Sequence, residues 1–207
     1  GIVCRERGNH DEATHAHKEA LGINPSYAEA YNNLGIICDD NGKLEDAITN
    51  YQKAIKIRSD YAEAHNNLGV VYSKQGMIDK AISFYKAALD LNSHYAEAHN
   101  NLGVAYDSKK MFDEAIEQYK MAIENNSEYA AAYNNLGAVY GRKVMFTQAI
   151  SQYKKAIQIN PEYAEAHFNI GIAYNKKKMY DNAIASFRKT LELNPDDESA
   201  HYNLAIV

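Results

Sequence analysis

The stretch YAEAHNNLGVVY, residues 61–72, returns as YAEAHNNLGVAY at 95–106 and as YAAAYNNLGAVY at 129–140. The interval is 34 residues, and a chain that repeats at such a length is read by its columns first. Leu34, Leu68, Leu102, Leu136, Ile170 and Leu204 share one column, and Gly35, Gly69, Gly103, Gly137 and Gly171 share the next. Ala13, Ala47, Ala81, Ala115, Ala149 and Ala183 form another, each of the last five followed one helical turn on by Tyr51, Tyr85, Tyr119, Tyr153 or Phe187. The adjacent asparagines pose a question, because Asn inside a helix costs roughly 0.5 kcal/mol relative to Ala.

Tyr31, Leu34, Gly35 and Cys38 fall at i, i+3, i+4 and i+7, which predicts one stripe of a helix over 28–41. Gly42 ends that pattern. Leu44, Ala47, Ile48, Tyr51, Ala54 and Ile55 give a second helix its stripe, with Glu45 and Asp46 suited to its first turn. Small Gly35, Ala47 and Ala54 let the two helices approach, and large Tyr51 and Leu34 fill the space between. Ser26 to Glu29 reads as a capping box for the first helix, and Asp60 with Glu63 as a related start. Pro25, Pro161 and Pro195 mark turns where no helix continues. The fold class expected is all-α, a solenoid of antiparallel helix pairs occupying 1–207 as a single domain. Its full units are 28–61, 62–95, 96–129, 130–163 and 164–197, with partial units at 1–27 and 198–207.

The 207 residues carry a net charge of −5, with 46% hydrophobic and 24% charged, enough apolar content for a core. The acidic balance weighs against nucleic acid, whose phosphates need a basic face. Mean hydropathy is −0.54, and no apolar run is long enough for a membrane span. Cys4 and Cys38 occupy one repeat position and read as small apolar residues, not as a disulfide. No Gly-rich phosphate loop, nucleophile elbow or zinc-protease motif occurs, so the chain reads as non-catalytic and without a cofactor. His65, His99, His167 and His201 stand one repeat apart, too far to share a metal whose bonds are ~2 Å long. They read as packing residues, with no metal site.

A helix-turn-helix repeat of this length with these Leu, Gly, Tyr, Ala and Pro columns resembles the tetratricopeptide repeat family. The resemblance covers the whole chain. Two departures stand out: the family's tryptophan position holds Tyr31, His65, His99, Tyr133, His167 and His201, and the proline column is half filled. The resemblance implies a right-handed superhelix whose first helices line a concave groove where protein partners bind.

On a helical wheel, the face opposite the apolar stripe carries an amide and an aliphatic residue in every unit. Its amides are Asn33, Asn67, Asn101, Asn135, Asn169 and Asn203; beside them lie Val70, Val104 and Ile172, then Lys74, Arg142 and Lys176. An amide offers donors and an acceptor together. A row of them can grip a peptide backbone whatever its side chains, and aliphatic neighbours would exclude water from the contact. The NNLG wording is similar to the repeat arrays of O-linked N-acetylglucosamine transferases and O-fucosylating relatives, where a matching asparagine row holds protein substrates. The opposing reading is that the amides bond neighbouring helices, and for Asn32 and its equivalents that reading is preferred. A co-chaperone carboxylate clamp is set aside, since asparagine and aliphatic residues stand where it needs lysine and asparagine.

The ends of the first helices pass from Asp39-Asp40 to Arg142-Lys143 and Lys176-Lys177-Lys178, a rim that turns from acidic to basic. The function expected is therefore a protein-interaction scaffold binding an extended peptide in its groove. The alternative is the substrate-recruiting region of an O-linked glycosyltransferase. The partner expected is a protein or peptide, with no nucleic acid and no membrane, in an intracellular compartment, cytoplasmic or nuclear. Both termini fall inside a first helix, which leads to the expectation of a piece of a longer protein able to associate head to tail.

Overall fold

The computed structural model describes residues 10–207. Among them are twelve helices and no strand: α1 (His10–Ile23), α2 (Ala28–Asp40), α3 (Leu44–Ile57), α4 (Ala62–Lys74), α5 (Ile78–Leu91), α6 (Ala96–Ser108), α7 (Phe112–Asn125), α8 (Ala130–Arg142), α9 (Phe146–Ile159), α10 (Ala164–Lys176), α11 (Tyr180–Leu193) and α12 (Glu198–Ile206). Gly1, which stands 34 residues before Gly35, and Cys4, which stands 34 before Cys38, lie outside the described residues. The chain divides into two compact units, one reaching Ala105 and the other beginning at Tyr106. In the first, α2 packs on α3, α4 on α5, and each pair on the helix before it. In the second, α8 with α9 and α10 with α11 repeat the arrangement, with α12 against α11. Within each unit the fold is the all-α solenoid of helix pairs.

The Gly and Tyr columns explain how closely the paired helices sit. A Cβ added to Gly35 would lie 2.5 Å from Tyr51 Cε1, and one on Gly69 would lie 2.7 Å from Tyr85 Cε1. In the second unit Gly137 meets Tyr153 and Gly171 meets Phe187 in the same way, both at 2.7 Å. The ring fills the gap that the missing side chain leaves, and each of these rings is buried. Burial without a charged partner favours the neutral phenol. It pushes Tyr85 up to about 12, helped by Glu97 and opposed by a hydrogen bond with Ser73. It likewise pushes Tyr153 up to about 12. The alanine columns sit at the same interfaces, with Ala47, Ala81, Ala149 and Ala183 fully buried.

Turns between the two helices of a pair need one left-handed residue. Gly42 and Gly76 supply it at φ 71° and 74°. The same column holds Lys110, Val144 and Lys178 at φ 59–62°, where a side chain, above all a β-branched one, is disfavoured. Four of the turns between pairs are closed by asparagine. The Asn24, Asn92, Asn126 and Asn160 side chains each accept the backbone N–H two residues on, at 3.0–3.1 Å.

The helix starts differ from the capping boxes read in the sequence. The N-cap positions are Tyr27 and Tyr61, and neither makes a side-chain cap. Ser26 lies one residue too early. The carboxylates Glu29 and Glu63 turn away from their own backbone, Glu29 to Arg58 just past the end of α3 at 2.5 Å and Glu63 to Asn32 of the preceding first helix at 3.0 Å. Asp197 does cap its helix, accepting from Ala200 N at 2.8 Å. No helix among the described residues is long and apolar enough to cross a membrane.

Candidate functional site

The two asparagines of each pair have different surroundings. Asn32, Asn66 and Asn134 are at most 1% exposed, whereas Asn33, Asn67, Asn101, Asn135, Asn169 and Asn203 are half-buried. A buried amide needs partners for both of its ends, and the next first helix provides them. Asn32 Nδ2 donates to Glu63 Oε1 at 3.0 Å, while Asn67 Nδ2 donates to Asn32 Oδ1 at 3.1 Å. Glu63 and Asn67 stand one turn apart on α4, so they clasp the Asn32 amide end to end. Glu97 and Asn101 clasp Asn66 at 3.4 and 3.0 Å. Glu165 and Asn169 clasp Asn134 at 3.0 and 3.1 Å. The first asparagine of each pair is thus held by the following helix, and the second reaches back to hold the preceding one. Net hydrogen bonds of about 1 kcal/mol each offset the poor helix propensity.

The outer amides commit only part of their capacity to the clasp. Among the described residues Asn67, Asn101 and Asn169 each make one side-chain hydrogen bond, through Nδ2. Each amide plane is fixed, with its carbonyl oxygen and second N–H at a half-exposed face. Val70 and Ile172 flank the row half-buried, and Val104 is 42% exposed. Asn203 differs: it donates to Ser199 O of its own helix at 2.8 Å.

Of the residues singled out in the sequence, Arg142, Asn169, Ile172 and Lys176 come together in one place. With Ala138, Gly141, Phe146, Tyr153 and Ala173 they line an open trough of about 300 Å³ on the α8–α10 face. A larger trough, about 510 Å³, lies elsewhere, between α1, α2 and α3 around Cys38. Its counterpart in the second unit is about 320 Å³, and Tyr174 stands there in the place of Cys38. The smaller side chain leaves more of that surface open. Burial pushes the Cys38 thiol up from its ordinary value, the opposite of an activated thiolate.

The rim charges form cross-repeat pairs at a fixed register. Lys74 Nζ meets Asp39 Oδ1 at 2.7 Å, and Arg142 pairs with Asp107, each 35 residues apart. Burial raises the Asp107 carboxyl above its ordinary value, and Arg142 pulls it back. One residue further on, Gln75 takes Glu45 at 2.8 Å, Lys143 takes Asp113, and Lys177 takes only the Thr147 hydroxyl at 2.8 Å. The sequence reading missed these registers, whose signal was the Asp at 39 and 107 opposite the cations at 74 and 142. The histidines at the tryptophan position each bond a turn carbonyl six residues earlier. His65 reaches Ser59 O, His99 reaches Ser93 O, His167 reaches Pro161 O and His201 reaches Pro195 O, at 2.9–3.1 Å. Among the described residues no three His, Cys, Asp or Glu side chains gather as for a metal.

These helix pairs define a repeat protein, and comparison identifies the kind. The TPR repeat family matches residues 1–38, 37–76 and 146–178, and the tetratricopeptide repeat matches 60–128 and 164–197. The chain belongs to the tetratricopeptide repeat family. Among solved structures, a MamA protein is 33% identical, spans 87% of this chain and 97% of its own, and superposes with a TM-score of 0.68. YrrB, a TPR protein with an unusual peptide-binding site, is 24% identical over 91% of this chain and 97% of its own, with a TM-score of 0.69. Pseudomonas aeruginosa pilF shares the fold over 100% of this chain and 94% of its own, at 20% identity and a TM-score of 0.88. No curated protein sequence matches the chain.

Proposed function

We propose that the chain is a non-catalytic protein-interaction scaffold that binds an extended peptide along the first-helix face of each unit, as tetratricopeptide repeat proteins bind protein partners. The observation that carries this reading is the fixed orientation of Asn67, Asn101 and Asn169, each tied back through one N–H at 3.0–3.1 Å. An amide already held in place loses little freedom on gripping a backbone, which reduces the entropic cost of binding. The peptide-binding site of YrrB, a neighbour in fold, agrees with it. Nothing in the family matches or in these neighbours favours the glycosyltransferase alternative. Array binding tests the proposal. The triple change Asn67→Ala, Asn101→Ala and Asn169→Ala should weaken peptide binding about tenfold or more at temperatures where the helical signal is unchanged. Undiminished binding by a folded triple variant would refute it.

A further inference from the structure

The second unit contains a cation that its own register leaves without an acidic partner. At the rim of the first-helix face, the residue 35 positions earlier neutralises Lys74 through Asp39 and Arg142 through Asp107. For Lys176 that position is Gly141. Among the described residues Lys176 makes no ion pair, and its neighbour Lys177 bonds the Thr147 hydroxyl where Lys143 has Asp113. Favourable interaction with a helix C-terminus does not account for the difference, because α4 and α8 end in cations too and still have their aspartates.

Lys176 opens onto the trough lined by Ala138, Phe146, Ile172 and Ala173, with the Asn169 amide on its wall. Apolar walls beside an unneutralised ammonium group complement an aliphatic or aromatic side chain next to a carboxylate. We infer that this trough binds an acidic peptide segment whose carboxylate pairs with Lys176 while an adjacent apolar side chain lies against Ile172 and Phe146. The inference rests on the peptide-binding reading above and adds the chemistry of the peptide. Arg142 on the same trough is paired with Asp107, and Gly141 is what leaves Lys176 unneutralised. A Cβ on Gly141 would meet only Tyr153 Oη at 3.8 Å, an ordinary contact, so the fold tolerates a side chain at the register position that supplies the aspartate for Lys74 and Arg142.

The test uses two fluorescein-labelled peptides read by anisotropy: one alternating Asp with Leu, Ile and Phe, the other with Asn in place of every Asp. The acidic probe should bind about tenfold more tightly at low salt, with the preference shrinking as salt rises. Lys176→Gln should abolish the preference. Gly141→Asp should do the same and Gly141→Asn should not, while Lys120→Gln on α7 should leave it intact. A preference that survives Lys176→Gln overturns the inference. Equal binding of both probes also overturns it and leaves the broader peptide-binding reading standing. Failure of both probes to bind removes both.

Discussion

Where α8 meets α10, Asn134 lies buried between Glu165 and Asn169. One repeat later the corresponding residues are Phe168, Ser199 and Asn203. No amide stands in the buried position and no carboxylate faces it. Asn203 has nothing to hold and turns back onto Ser199 O. The Phe168 ring packs on Phe187 instead, at 5.8 Å between centroids. In the same repeat the column tyrosine has become Phe187, so both the buried amide and the phenol have given way to apolar rings. The comparison teaches that the second asparagine's orientation is set by the helix before it, not by its own place in its helix.

The largest contrast between the two repeats is expected in alkali. Below pH 10 the neutral Tyr153 phenol contributes its full stability. That stability is lost as pH rises through its folded value of about 12, because the unfolded chain ionises first. The loss reaches up to about 3 kcal/mol. Phe187 has no proton to lose. Urea melts at pH 9 and above 11 should therefore show a shallower decline for Tyr153→Phe than for the parent chain. An identical decline would mean that Tyr153 is not buried as described.

Opening the clasp comes next. Asn134→Ala strips partners from both Asn169 and Glu165 and should cost about 1–3 kcal/mol by chemical denaturation. Asn169→Ala leaves only the Asn134 carbonyl unpaired and should cost about 1 kcal/mol. Asn203→Ala, at a site with no clasp to break, should stay within about 0.5 kcal/mol. Equal costs at residues 169 and 203 would remove the distinction. The reverse change is the most specific. Phe168→Asn with Ser199→Glu rebuilds the clasp and should draw the Asn203 amide from Ser199 to the new partner. The side-chain NH₂ resonances of Asn203, read by NMR, should then resemble those of Asn169.

Periodicity made the helices legible, because an apolar stripe must face something and the 34-residue interval places the next stripe. The close approach at Gly35 was legible for the same reason, with a small residue opposite a large one. The starts were not. Ser26 and Glu29 have the right spacing for a cap, but the helix begins at Ala28 and Glu29 pairs with Arg58 instead. Left-handed turns were half visible: Gly42 and Gly76 announce them, while Lys110, Val144 and Lys178 occupy the same backbone conformation without the signal. At the candidate site, the sequence picked out Arg142, Asn169, Ile172 and Lys176, which do line one trough, but not Gly141, whose meaning depends on a cation 35 residues away.

By itself the sequence determined that the chain is a stack of helical hairpins and which face of each first helix is apolar. Those properties follow from spacing along one helix. The tertiary structure decided which of two adjacent amides is sealed and which stays at the surface, and which rim cation lacks a carboxylate. A hydrogen bond or ion pair is made over about 3 Å between side chains, and here the partners sit 30–35 positions apart on different helices. Only the packed register brings them within reach.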